Sequence, residues 1–257
     1  MPINEVFPRP TVKTVIFQIR YPNLFYIENK IGELQIKIMD RFPESALLFR
    51  RQVLLADIGP EVKEEDRPKL DERMGTKIWQ FTSPLEYKLN VQANSLDITS
   101  QIHKTYNNPA SDNRFRDIIE FVLSRFFEVT SVPVISRVGL RYVDECPPLP
   151  SVDNLTYSSL FVTAFNLDKF AMEDAVEMDY KTVVRRGNYQ LRYVESLQRR
   201  DDGRHYVVLD FDGFAQNVKP NDCLKVTDDL HVMIAGAFKN TVKAPILEYM
   251  RGKDLEI

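Results

Sequence analysis

Cysteine and histidine are scarce in this chain, and their scarcity removes whole classes of chemistry. The only two cysteines, Cys146 and Cys223, lie far apart and form no C-x-x-C pair. That leaves no disulfide framework and no zinc site, and it suits a reducing compartment. The three histidines, His103, His205 and His231, have no metal-ligand spacing. Equally missing are G-x-S-x-G, Walker A, G-x-G-x-x-G and H-E-x-x-H stretches, so elbow-type hydrolysis, P-loop phosphate chemistry, dinucleotide binding and zinc proteolysis have no anchor. No cofactor is expected. No apolar run approaches bilayer length, and the opening MPINEVFPRP carries prolines and a glutamate where a signal peptide needs an apolar stretch. The expectation is a soluble, cytoplasmic protein with no membrane partner. The 34 basic residues form no block against 37 acidic ones, so strong nonspecific nucleic-acid binding is not expected, although a local basic groove stays open.

What is present is an ordinary globular composition, 44% hydrophobic and 28% charged, over 257 residues, enough for one large core or two small ones. The most informative stretch is residues 115–144. Ile118, Ile119, Val122, Leu123 and Phe126 repeat as one helical face, and Pro133 forbids continuation. Beyond it the period drops to two: Val134, Val138, Leu140 and Tyr142 take one face of a strand, and Ile135, Arg137, Gly139, Arg141 and Val143 the other. A helix is thus docked on a sheet whose opposite face carries two arginines.

Ahead of this stretch, residues 12–21 read as a strand, and Asn29 as the cap of a helix facing inward through Ile31, Leu34, Ile38 and Phe42. Residues 47–56 return to strand. Residues 60–75 form a charged, solvated excursion, and strands near 77–81, 86–91 and 96–102 complete a meander. The run Cys146-Pro147-Pro148-Leu149-Pro150-Ser151 is a stiff connector. Beyond it, residues 158–170 read as a strand with a short helix. Residues 180–197 and 204–214 form a hairpin turning at Asp202-Gly203, and Thr227 caps a long helix lined by Leu230, Ile234, Ala237, Phe238 and Thr241, with Pro245 kinking or restarting it. The fold class is therefore α+β in two halves, residues 1–148 and 149–257, each a curved antiparallel sheet with helices covering one face, or both in one continuous domain.

Candidate site residues follow from strand faces. Arg137 and Arg141 fall about 13 Å apart on one face, with Gly139 between them as a shallow seat for a phosphate or carboxylate. Arg186 and Arg192 read as a second such pair. Asp210 and Asp212 share a strand face, too few carboxylates for a calcium or magnesium site. The hairpin register sets them near Arg192, so the arginines equally read as partners of these carboxylates. His231 reads as a packing residue in the first turn of its helix, where burial favours its neutral form.

The run Arg137-Val138-Gly139-Leu140-Arg141-Tyr142-Val143 behind a helical segment resembles a sporadically distributed prokaryotic family of conserved hypothetical proteins. The opening Phe7-Pro8 with the strand at 12–21, and the closing Leu230-His231 through Ala237-Phe238, fall where that family has comparable segments. The resemblance implies a bacterial or archaeal source and an α+β fold, and it carries no activity. The residues themselves favour a nonenzymatic binding or regulatory role toward an anionic small molecule or acidic protein partner. The alternatives are a nucleic-acid-associated protein, or an enzyme whose Asp210, Asp212 and His231 meet only in the folded chain.

Overall fold

The computed structural model describes residues 5–50, 76–103, 105–169, 171–175 and 177–255. The charged excursion at 60–75, and the end of the strand expected at 47–56, lie outside them.

Nine strands form one antiparallel sheet in the order β2-β3-β4-β5-β1-β6-β9-β8-β7. They are β1 Val12–Arg20, β2 Glu44–Arg50, β3 Thr76–Thr82, β4 Lys88–Val91, β5 Ser95–Ser100, β6 Ile135–Glu145, β7 Met178–Arg186, β8 Tyr189–Arg199 and β9 His205–Val218. The alternation in β1 buries Val15, Phe17 and Ile19 and leaves Thr14, Ile16 and Gln18 half-exposed, the mark of a sheet covered on one side.

Where two sheets were expected there is one. β6 offers one edge to β1 and the other to β9, with Arg20↔Arg137 on one side and Arg137↔Gln216 on the other. Two separate sheets would have left the facing edges of β6 and β9 each with a row of unpaired backbone groups, and pairing them removes that cost. The proline connector does not part the sheet either. It runs on beside β9, with Cys146 N–H donating to Val207 O (2.9 Å) and Leu149 N–H to His205 O (2.9 Å).

Helices α1 Ile27–Ile38, α2 Phe115–Val129, α3 Asn154–Leu160, α4 Cys223–Thr241 and α5 Ala244–Met250 gather on the covered face. In α2 the expected stripe is buried, Ile119, Val122 and Phe126 completely, each worth about 1.5–3 kcal/mol of transfer from water. The helix ends where Thr130 turns extended and folds its hydroxyl onto Phe126 O (2.6 Å). Among the described residues no helix is long and apolar enough to cross a membrane.

Several local expectations change. Asn29 lies inside α1, whose cap is Tyr26 without a side-chain bond, and Thr227 lies inside α4, its hydroxyl on Cys223 O (2.8 Å). The apolar face of α4 extends back to Cys223, so burial rather than a capping side chain fixes where it starts, and His231 stands well inside the helix. Residues 178–199 are two strands, because Gly187 adopts φ +60° and reverses the chain, while the expected turn at Gly203 (φ +80°) forms as well. Residues 154–160 are helical, started by Asp153, whose carboxylate accepts from Thr156 N–H (2.8 Å). Pro245 sits in the first turn of α5, a restart.

Candidate functional site

The uncovered face of the sheet carries most of the candidate residues in one ladder. Antiparallel pairing sets Arg141 opposite Asp212, and Asp212 opposite Arg192. Arg141 grips Asp210 with both ends of its guanidinium, Nε to Oδ1 at 2.7 Å and Nη2 to Oδ2 at 2.8 Å, and Arg192 Nη1 reaches the same carboxylate at 3.2 Å. Arg137 Nη2 donates to Asp212 Oδ1 at 2.6 Å, and its guanidinium lies over the Phe214 ring, 4.8 Å from the centroid. The seat above Gly139 is taken by that same guanidinium, into which a Cβ at position 139 would run. Three guanidiniums thus share two carboxylates, leaving one net positive charge.

Two candidates fall elsewhere. Arg186 pairs across the turn with Tyr189, whose hydroxyl reaches Asp229 of α4 (2.7 Å), so Arg186 takes the parity of the covered face and stands exposed at the end of β7. The turn at Gly187 reverses the parity that one continuous strand would have shared between Arg186 and Arg192. His231 projects from α4 onto Tyr142 on the covered face, so the sheet separates it from Asp210 and Asp212, and the three do not form a cleft.

On the covered face a different cleft opens, about 110 Å³ in volume, walled by the segment before β1, the start of α2, β6 and α4. Its apolar lining includes Phe7, Phe115, Ile234 and Phe238, and its polar lining includes His103, Tyr106, Tyr142, Asp144 and His231. Each polar group has a structural reason to be there. Tyr142 and Asp144 follow Val138 and Leu140 at period two on β6, so both must enter the core. Tyr106 stacks on His231 with centroids 4.2 Å apart and planes at 17°. It is held there by its hydroxyl donating to Asp228 (2.8 Å), which Arg116 also grips through Nε (2.8 Å) and Nη2 (3.0 Å). The Tyr142 hydroxyl and His231 Nδ1 are 3.2 Å apart. Burial lowers the pKa of His231 to about 4, outweighing the nearby Asp228 carboxylate, so the imidazole is neutral.

His103 is also buried in this wall. Ser100 Oγ accepts from the backbone N–H of Ile102 (3.2 Å) and His103 (3.4 Å), so its own proton goes to His103 Nδ1 (2.6 Å) and the ring proton sits on Nε2. That nitrogen has no hydrogen-bond partner among the described residues. Burial lowers the His103 pKa to about 4.

Asp144 is 2% exposed. Its carboxylate accepts from Thr11 Oγ1 (2.7 Å) and forms no ion pair among the described residues, and burial raises its pKa to about 7. A second buried acid on this face, Glu195, is treated differently. Tyr157 Oη (2.8 Å), Thr163 Oγ1 (2.6 Å), Tyr193 Oη (3.0 Å) and Ala164 N–H (3.2 Å) all donate to it. Among the described residues no three His, Cys, Asp or Glu side chains gather to hold a metal ion.

Asp144, Tyr106, Tyr142 and His103 were not singled out from the sequence as site residues. The available signal was parity: an aspartate at the next inward position after Val138, Leu140 and Tyr142 is an acid placed in a core. Comparison with family models, curated proteins and solved structures finds no match to this chain.

Proposed function

We propose that the protein is a nonenzymatic binding or regulatory protein whose small-molecule site is the cleft between β6 and α4. The observation that carries this reading is a concave, largely aromatic space into which a few buried polar groups converge, the usual make-up of a ligand site. Its volume suits a single small ring or a short chain. Holding is better supported than turnover, because the ring nitrogen of His231 and the hydroxyls of Tyr142 and Tyr106 are engaged with neighbouring side chains, and burial keeps both thiols protonated, Cys223 at about 12.

Filling the cleft tests this. A library of ring-sized molecules should contain members that raise the melting temperature of the parent and leave Ala235→Phe unmoved, since Ala235 lines the cleft. Shifts of equal size in both proteins, or none in the parent, would overturn the reading.

A second reading keeps the anionic or acidic partner for the open face, favoured by the three guanidiniums that share two carboxylates. It requires a partner that competes with Asp210 and Asp212 for hydrogen bonds already made.

A further inference from the structure

Resting on the reading of the cleft as a ligand site, we infer that its occupant is a small organic cation, a primary or secondary amine carrying an apolar ring or chain, with its ammonium on Asp144 and its body among Phe7, Tyr106, Phe115 and Tyr142.

The argument begins with charge. No lysine or arginine is among the described residues lining the cleft, and both imidazoles there are neutral at ordinary pH. Among the described residues the buried carboxylate therefore has no cation beside it. An ionised carboxylate out of water without a partner is costly, and the chain relieves that cost at Glu195 by gathering donors around it. At Asp144 a single hydroxyl does so among the described residues, from Thr11, and the residue belongs to the lining of the cleft although only 2% of its surface is exposed. An ammonium group supplies the missing charge and up to three donors in one step. An anion would meet the same carboxylate with repulsion.

The walls complete the match. The faces of tyrosine and phenylalanine rings attract cations, most strongly where water is excluded, and Tyr106 is fixed in place by its bond to Asp228.

Three probes that share one ring and carry a cationic, a neutral or an anionic group test the assignment: benzylamine, benzyl alcohol and benzoate, titrated into parent and Asp144→Asn and followed by ligand-observed NMR at about pH 8, where an alkyl ammonium is still charged. Benzylamine should bind the parent at least about tenfold more tightly than either of the others. In Asp144→Asn, an isosteric change whose folding is checked by its melting curve, that advantage should vanish. Equal binding of benzyl alcohol and benzylamine to the parent, or a benzylamine advantage that survives in Asp144→Asn, overturns the cation assignment while leaving the cleft a ligand site. No benzylamine binding to the parent at millimolar concentration also overturns it. Only the library screen with Ala235→Phe decides whether the cleft binds anything, so the two failures are told apart.

Discussion

Asp144 and Glu195 flank the same residue: both are Cα partners of Leu209, one from β6 and the other from β8. They lie on one face of the sheet, two strands apart, both buried. Glu195 accepts from four donors and Asp144, among the described residues, from one, so the chain satisfies the same chemical group in one place and leaves it largely unsatisfied in the other.

Amide substitution should separate them. In Glu195→Gln the amide NH2 replaces an oxygen that accepts from the chain, and a donor then faces donors. A loss of roughly 2–4 kcal/mol in urea unfolding is expected, the range for unmaking charge-assisted bonds in the core. Asp144→Asn loses no ion pair and should change stability by less than about 1 kcal/mol near pH 4, where Asp144 is protonated, and should become stabilising as pH rises toward 7. Similar losses in the two variants would contradict this division.

Acid titration should separate them again. Asp144 rises from an ordinary 3.8 to about 7, so between those values the folded protein holds a proton that the unfolded chain has released. Its contribution is present at low pH and is lost as pH climbs through about 7. His103 and His231 fall from 6.5 to about 4, so there the unfolded chain holds the extra protons and stability rises with pH across that window. The aspartate opposes the histidines between pH 4 and 6.5. Asp144→Asn should therefore steepen the rise of unfolding free energy with pH by about one proton, on the order of 1.4 kcal/mol per pH unit. Chemical denaturation at several pH values reads that slope, and an unchanged slope would show that Asp144 ionises normally.

Gly139 and Arg137 should be coupled. A Cβ at 139 strikes the guanidinium rather than the backbone, so Gly139→Ala displaces a flexible side chain and costs the Asp212 pair and the Phe214 contact, about 1 kcal/mol together. In an Arg137→Ala background that cost disappears, and alanine should be neutral or slightly stabilising in the strand. Additive effects in the double-mutant cycle would refute the stacked guanidinium.

The open face should gain affinity for polyanions when its carboxylates are neutralised. Asp210→Asn/Asp212→Asn releases Arg137, Arg141 and Arg192 from their pairs, and retention on heparin should increase over the parent and fall with salt. Retention of the parent as strong as that of the double variant would favour the acidic-partner reading instead.

Much of this architecture was legible because period reports burial. α2, β6 and the hairpin of β8 with β9 stand where their patterns place them, and the partnership of Arg192 with Asp210 followed from counting back from Gly203. Less legible was whatever depends on contacts distant in sequence. Nothing in residues 178–199 except Gly187 marks the reversal that moved Arg186 to the other face. The joining of β6 to β9 is a pairing of edges that no local pattern encodes. The cleft was hidden for the same reason: Phe7, His103, Asp144 and His231 have no common spacing, and only the parity of Asp144 hinted that an acid had been drawn inward.

The shared sheet also bears on inheritance. Strand β6 is the seam, and the cleft over it takes His103, Tyr106 and Asp144 from before residue 148 and His231, Ile234 and Phe238 from after it. A recombination event that exchanged either part would separate the two sides of the cleft and expose a long strand edge on each fragment. The cleft therefore exists only in the whole chain, and each substitution in α4 is felt against β6.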